Sequence, residues 1–167
     1  MLTKNFYAYM RLVFQKVTST FTLTDGIVTT INSTTNSQPP FEIMKNWANA
    51  ARATGVSFGT GTTPATVSDY FLESILTKTE ISVSSPSAVS FSQFDTYEEY
   101  SVTFGVTNNT AEAITISEVG LTAVPYSYST ASYALVDRTV LDTPVTIPAG
   151  QSKQITYTIR FNYGDVV

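Results

Sequence analysis

The sequence contains no cysteine and no histidine among its 167 residues. Without cysteine there is no disulfide, no thiolate metal site and no cysteine nucleophile. Without histidine there is no Ser-His-Asp triad, no imidazole metal ligand and no general base of the commonest kind. The lack of disulfides also favours a protein assembled in a cytosol over a large secreted β-domain. These absences exclude most familiar catalytic and metal sites before any motif is considered.

Charge is scarce as well, because only 13% of the residues are charged, against about a quarter in typical domains. The net charge is −4, and the nine basic residues are scattered singly from Lys4 to Arg160, which argues against nucleic acid as a partner. The composition leaves two alternatives open: a subunit embedded in an assembly, or a monomer with a Ser/Thr-covered surface.

Long apolar runs are missing too. No stretch approaches the ~18 residues of a membrane span, and the first residues lack the pattern of a signal peptide. The sequence therefore predicts no membrane partner and no secretory leader.

Hydroxyl and aromatic side chains are abundant instead. Thr (28) and Ser (18) supply 46 of the 167 residues, and there are ten Tyr and ten Phe. Threonine and aromatic residues suit pleated, half-buried strands. Residues 97–161 predict one strand after another, separated by turn residues. In the last strand every second residue is apolar and would lie on one face: Ile155, Tyr157, Ile159 and Phe161.

These patterns predict an all-β fold, mainly an antiparallel β-sandwich of Ig-like or jelly-roll type, with one short helix near residues 41–53. The helix prediction follows from a run of good helix formers around Trp47, which Gly55 would end. We expect Trp47, the only tryptophan, to be a packing anchor rather than a ligand platform.

Two units are predicted along the chain. Residues 1–38 would form an N-terminal arm or hairpin and serve as a docking segment, and residues 39–167 would form the sandwich domain. Within the arm, residues 7–17 predict a strand and Asp25-Gly26 predicts a hairpin turn. Pro148-Ala149-Gly150-Gln151 predicts a tight turn before the last strand.

Motifs for chemistry are few. Gly59-Thr60-Gly61 is glycine-rich, but no Lys-Ser/Thr follows at phosphate-loop spacing, so we interpret it as a turn. A hydrolase would need two carboxylates that face one bond, and the sequence-near pairs are Glu98-Glu99 and Asp137 with Asp142. Nothing in the sequence makes either pair converge. We therefore predict no enzyme activity, no catalytic residue, no metal and no cofactor.

Two groups of residues are predicted to make contacts with partners. Aromatic and apolar residues near the N-terminus are hard to place in a free monomer and are candidates for docking. The Tyr/Ser-rich segment 126–133 resembles an antibody paratope and could contact a glycan or a neighbouring subunit, or could fold back on the sandwich. The docking candidates are Phe6, Tyr7, Tyr9, Leu12 and Phe14, and the paratope-like candidates are Tyr126, Tyr128 and Tyr133.

Three stretches between residues 56 and 161 keep a consistent order. They are Phe58–Glu73, Val106–Thr110 with Ile116–Leu121, and Leu135–Leu141 leading to Pro144–Gln151 and Ile155–Ile159. Together they resemble segments of small structural proteins of tailed bacteriophages. The same residues also have a plain structural interpretation, in which Gly120 marks a bulge or a close backbone approach. In that interpretation Glu118 and Arg138 pair across strands.

The resemblance implies a virion component made in the host bacterial cytoplasm. It implies a non-enzymatic capsid-decorating, head-fibre, neck or tail subunit. Such a subunit would bind copies of itself and other virion proteins, namely the major capsid, portal/neck or tail proteins. The alternative is a receptor- or glycan-binding sandwich that uses the Tyr126–Tyr133 loop.

Overall fold

Strands make up most of the described residues, and all of the paired ones run antiparallel. The computed structural model describes residues 1–12, 18–31, 55–84, 88–123 and 134–162. The predicted all-β fold is confirmed, and the described residues contain one short helix, which lies at residues 4–10. The elements in chain order are α1 Lys4–Met10, β1 Ser19–Thr22, β2 Val28–Ile31, β3 Gly55–Gly59, β4 Ile81–Val83, β5 Ala88–Gln93, β6 Tyr97–Asn108, β7 Ile114–Ala123, β8 Ala134–Ile147 and β9 Ser152–Asn162.

Two sheets carry the architecture. The first sheet has the order β3-β7-β8. In the second sheet, β6 pairs with β9 along one side and with both β4 and β5 along the other. A separate hairpin, β1-β2, lies outside both sheets. From Val102 to Asn108 the residues of β6 alternate between buried and half-buried, so only one face of this part of the strand is buried.

The core lies between the two sheets. Phe58 of the first sheet meets Phe104 of the second edge to face, with ring centroids 6.4 Å apart, and both side chains are buried. Burying each such ring contributes about 1.5–3 kcal/mol. The predicted inward face of β9 is confirmed, because Ile155, Tyr157 and Ile159 are buried and Phe161 is half-buried against the same core.

Two predicted turns are also confirmed. At Asp25-Gly26 the glycine has φ +83°, and the Ile27 N–H donates to the Asp25 carboxylate at 2.9 Å. Before β9, Gly150 has φ +67° and the Gln151 N–H donates to the Pro148 carbonyl at 3.1 Å. Both glycines adopt the left-handed conformation that other residues avoid.

The predicted strand over residues 7–17 is wrong where the structure describes it. Residues 4–10 form α1 instead. The buried side chains there are Asn5, Ala8, Tyr9 and Leu12, and this spacing places them on one face of a helix. Apolar residues are so frequent in this segment that the sequence also fits the alternating pattern of a strand, which explains the wrong prediction. The helix predicted near 41–53, with Trp47, lies outside the described residues.

The predicted N-terminal arm contacts β8. Thr3 donates from its N–H to the Val136 carbonyl at 3.0 Å and from its hydroxyl to the Leu135 carbonyl at 2.6 Å. The side-chain NH2 of Asn5 donates to the carbonyls of Leu135 and of Thr22 in β1, and the side-chain oxygen of Asn5 accepts from the Thr22 N–H. Through these bonds the first residues cover part of the outer edge of β8. Helix α1 then packs with β1 in a small second core: Ala8, Tyr9, Leu12, Phe21, Leu23 and Ala134.

Candidate functional site

A buried ion pair joins two neighbouring strands of the first sheet. Glu118 of β7 is fully buried and Arg138 of β8 is 3% exposed. The Arg138 Nε donates to a Glu118 carboxylate oxygen at 2.8 Å. The register places Gly120, not Glu118, opposite Arg138, so the pair is a diagonal contact within reach of long side chains. The predicted pairing of Glu118 with Arg138 is confirmed.

Around this pair the chain forms an ordered loop, residues 60–76, which we call the braced loop. The Glu118 carboxylate accepts hydrogen bonds from the backbone N–H groups of Gly61 (3.2 Å), Glu73 (3.1 Å) and Ser74 (2.7 Å). One buried side chain thereby ties both ends of the loop to the sheet. Charge-assisted bonds of this kind are about twice as strong as neutral ones.

Arg138 holds the middle of the braced loop. Its guanidinium donates to the Asp69 carboxylate at 2.8 Å, to the Thr63 carbonyl at 3.1 Å and to the Glu73 carboxylate at 3.4 Å. Together with Glu118, three carboxylates surround one cation. Within the described residues no group of three or more acidic, His or Cys side chains is arranged to hold a metal ion. The arrangement stabilises a loop conformation.

Two glycines let the backbone approach the Glu118 carboxylate. A β-carbon on Gly59 would lie 2.5 Å from Glu118 Oε1, and one on Gly61 would lie 2.6 Å from the same atom. Gly120 is crowded from the other side, because its β-carbon would lie 2.7 Å from Leu72 Cδ2. Neither predicted interpretation of Gly120 holds as stated, because leucine side chains rather than another backbone approach it, and the register shifts of β7 lie between Ile116 and Glu118 and between Leu121 and Thr122. The glycine-rich Gly59-Thr60-Gly61 segment wraps around a carboxylate of the chain itself.

The carboxylates of the braced loop are stabilised in their charged form. Burial opposes ionisation of Asp69, but hydrogen bonds from Arg138 and Thr66 outweigh it and lower the pKa of this carboxyl below its usual 3.8. Hydrogen bonds from the side chain and backbone of Thr63 lower the pKa of Glu73 below its usual 4.5. For Arg138, bonds to Asp69 and Glu118 outweigh the effect of burial and raise the pKa.

These directions predict a loss of stability in acid. A carboxyl whose pKa is depressed by folding contributes stability above its unfolded pKa, and that stability is lost as the pH falls through the folded pKa. We expect Asp69→Asn to cost about 1.5–3 kcal/mol near pH 5, as for a lost bond to a charged group. The difference from the wild type should shrink below the usual pKa of 3.8. Urea unfolding at several pH values measures it, and a difference that does not change with pH would contradict the prediction.

The outer side of the braced loop is apolar. Val67, Phe71 and Ile75 are 47%, 45% and 56% exposed. Phe71 and Ile75 border an open cleft of about 680 Å³, whose lining also includes Phe58 of β3 and Ile81 of β4. The cleft therefore opens between an edge strand of each sheet. A rigid loop that displays large apolar groups beside an apolar cleft is typical of a binding surface.

The predicted docking residues separate into two sets. Tyr9 and Leu12 are buried in the small second core. Phe6 packs against the main core, and Tyr7 remains 53% exposed. Phe14 lies outside the described residues. Tyr9 and Leu12 therefore have a place inside the monomer, contrary to the expectation, because α1 packs them against β1.

Phe6 and Tyr7 begin a row of aromatic rings at one end of the second sheet. Tyr7 contacts Phe6 at 5.6 Å, Phe6 stacks on Phe161 at 6.4 Å, and Phe161 meets Tyr100 at 6.1 Å. Tyr100 contacts Phe91 at 4.8 Å, and Phe91 is 53% exposed. The row has an exposed ring at each end.

Other predicted site residues do not come together. Glu98 and Glu99 are neighbours on one strand, so their side chains point to opposite faces. Asp137 is buried, pairs with the N-terminal ammonium of Met1 at 2.9 Å and accepts a bond from the Tyr157 hydroxyl. Asp142, by contrast, is exposed. Burial and the nearby Asp137 raise the pKa of Tyr157 well above its usual value. The paratope-like residues Tyr126, Tyr128 and Tyr133 lie outside the described residues.

In the part of the chain that the structure describes, no helix is long and apolar enough to cross a membrane.

No family model, no curated protein and no solved structure matches this chain. Its function is therefore inferred from its residues and their geometry, above all from the braced loop and the cleft beside it.

Proposed function

We propose that the chain is a non-enzymatic structural subunit of a tailed-phage particle, which acts by docking to other virion proteins and to copies of itself. The observation that carries the proposal is the braced loop. The loop and the residues that contact it come from all three segments that resemble phage structural proteins. They are Gly59, Gly61, Asp69 and Glu73 from the first segment, Glu118 and Gly120 from the second, and Arg138 from the third.

The function of the loop would be to present apolar side chains at low entropic cost. Binding normally loses free energy when interface side chains and loops become ordered, about 0.5–1.5 kcal/mol for each flexible side chain. Here the loop is already fixed by the bonds of Glu118 and Arg138. Phe71 and Ile75 beside the cleft therefore form a preorganised apolar contact, the kind of centre that dominates interface energies.

The outward face of the second sheet also fits an assembled subunit. It carries hydroxyl pairs such as Ser101–Thr158 (2.6 Å) and Thr103–Thr156 (2.8 Å), and the charged residues Glu99 and Arg160 on it pair with each other. Such a face can contact a neighbour without burying unpaired charge. The chain would accordingly belong to the virion, at the capsid surface, the neck or the tail.

The test is incorporation into particles of the phage that encodes the chain. We expect the wild-type protein to copurify with particles in many copies, and the double variant Phe71→Ser/Ile75→Ser to be incorporated at least about tenfold less, since hot-spot truncations cost about 2 kcal/mol or more. Val67→Ser is the matched control, because Val67 is equally exposed on the same loop but does not line the cleft. Quantitative mass spectrometry of gradient-purified particles measures how many copies of the wild type, the double variant and Val67→Ser are incorporated.

Absence of the wild-type protein from particles would overturn the proposed function. Full incorporation of the double variant would leave the chain a virion protein but remove the cleft as its docking surface. Thermal unfolding of each variant shows whether a loss reflects misfolding, and we expect all three proteins to unfold at nearly the same temperature.

A further inference from the structure

The strand β9 forms a long sheet edge. It pairs with β6 over its full length of 11 residues without a register shift. In the described part of the chain no strand pairs with its other side. The first residues bond to β8, Gly59 at the end of β3 bridges to Ile75, and the unpaired side of β5 is only 6 residues long. An uninterrupted edge is a template for pairing with another chain.

The usual devices that protect an edge are few in β9. Residues 152–162 contain no proline and no glycine, and their only charged side chains are Lys153 and Arg160. Arg160 is bound to Glu99 at 2.5 Å, and its guanidinium lies 4.1 Å from the Tyr97 ring centroid. Since Arg160 is held by these contacts within the second sheet, Lys153 is the main charge that could protect this edge.

The direction of the backbone groups in β9 follows from one bond. The Asn108 N–H donates to the Gln151 carbonyl at 2.9 Å, so residue 151 directs its backbone groups toward β6. Because this direction alternates along an antiparallel strand, odd-numbered residues face β6 and even-numbered residues face away. The residues available for pairing are therefore Ser152, Gln154, Thr156, Thr158, Arg160 and Asn162.

We propose that two copies of this chain pair antiparallel through β9, with the two-fold axis at Tyr157. This register places Thr156 opposite Thr158 of the second copy, and it aligns all six outward-facing residues in hydrogen-bonded pairs. A shift by two residues in either direction leaves residues at one end of β9 without an opposite residue. The axis at Tyr157 therefore gives the largest overlap. A two-fold interface of this kind uses the same patch on both subunits.

The side chains on the outward face suit this register. Thr156 against Thr158 repeats the hydroxyl contacts that β9 already makes with β6, at Thr103–Thr156 (2.8 Å) and Ser101–Thr158 (2.6 Å). Cross-strand threonine pairs of this type stabilise antiparallel sheets. Among the other outward pairs, Gln154 would face Arg160 and Ser152 would face Asn162, so no like charges meet. The result is one continuous sheet across both copies.

This pairing deepens the proposed function, on which its biological meaning rests, by naming the surface through which the chain contacts its own copy. It can be tested in solution without any particle. Light scattering coupled to size exclusion, at several concentrations, should give twice the chain mass of 18.2 kDa for the wild-type protein.

Two double variants test the register. Thr156→Lys/Thr158→Glu would place opposite charges across the axis, and Thr156→Lys/Thr158→Lys would place like charges there. Both variants lose the same hydroxyl contacts with β6, and they differ only at residue 158, where the charge is negative in the first and positive in the second. We expect the first to remain a dimer and the second to dissociate at least roughly tenfold more readily, because facing like charges cost several kcal/mol.

A wild-type protein that is monomeric at every concentration would overturn the pairing, as would an oligomer equally stable in both variants. Particle analysis separates this result from the proposed function. A monomer that still copurifies with particles leaves the proposed function intact, whereas a β9 dimer absent from particles overturns the proposed function and leaves the pairing.

Discussion

Replacing Glu118 by alanine is expected to lower the free energy of unfolding by about 3–5 kcal/mol, the cost of breaking a buried ion pair by removing one partner. Three backbone N–H groups of the braced loop and the Nε of Arg138 all donate to this carboxylate. Without it, four buried or partly buried donors have no acceptor at this point. The loss should include the conformation of the loop, because both of its ends are attached through the same side chain.

The variant Glu118→Gln tests how much of the stabilisation depends on the charge of Glu118, because glutamine has nearly the same shape without the charge. Its amide oxygen can accept part of the bonds, but its NH2 group would face donors from Arg138 and from the backbone of Glu73. We therefore expect Glu118→Gln to be destabilised as well, by less than the alanine variant. Asp142→Asn is the control, since Asp142 is an exposed carboxylate of the neighbouring strand. Surface changes of that kind usually stay within about 0.5 kcal/mol.

Urea unfolding followed by circular dichroism measures the three variants, and hydrogen exchange of residues 60–76 reports on the loop directly. We expect amide protection of Gly61 and Ser74 to fall first in Glu118→Ala. If alanine at 118 costs no more than the Asp142 control, Glu118 does not hold the braced loop.

One half of this site could be predicted from the sequence. Glu118 and Arg138 lie on strands that could be predicted from the sequence. A carboxylate and a guanidinium on neighbouring strands readily form an ion pair. Asp69 and Glu73 could not be predicted as partners because they reach Arg138 across 69 and 65 residues of chain. They lie in a loop without periodicity, where no sequence pattern indicates which side chain turns inward.

The fold shows the same division. In β9 the apolar residues alternate with threonines, so the buried face could be predicted residue by residue. In α1 the order Phe6-Tyr7-Ala8-Tyr9-Met10 is apolar or aromatic at every position, and it fits a strand and a helix equally well. Tertiary packing selects the helix over the strand, because a helix buries Tyr9 and Leu12 together against Phe21. Short apolar runs carry this ambiguity generally.

The second large effect is expected from a single added methyl group. Gly59→Ala would place a β-carbon 2.5 Å from Glu118 Oε1 and 2.6 Å from the Ser74 carbonyl oxygen. The Ser74 carbonyl is held by the Thr60 N–H at 2.9 Å, so this part of the backbone cannot withdraw without losing that bond. We expect a loss of about 3 kcal/mol, at the upper end for overpacking. For a chain of this size it corresponds to a fall in Tm of about 6–12 °C.

Alanine substitutions at two other glycines test whether a clash with backbone atoms causes the loss of stability. A β-carbon on Gly120 would meet only the ends of two leucine side chains, Leu72 at 2.7 Å and Leu135 at 2.8 Å, which can shift. Gly150 has nothing within 4 Å, but its φ of +67° is unfavourable for alanine. We expect Gly150→Ala to cost about 1 kcal/mol and Gly120→Ala to fall between the two others. If Gly59→Ala unfolds at the same temperature as Gly150→Ala, the added methyl group costs no more than the strain of one positive φ, and the backbone does not approach Glu118 as closely as described.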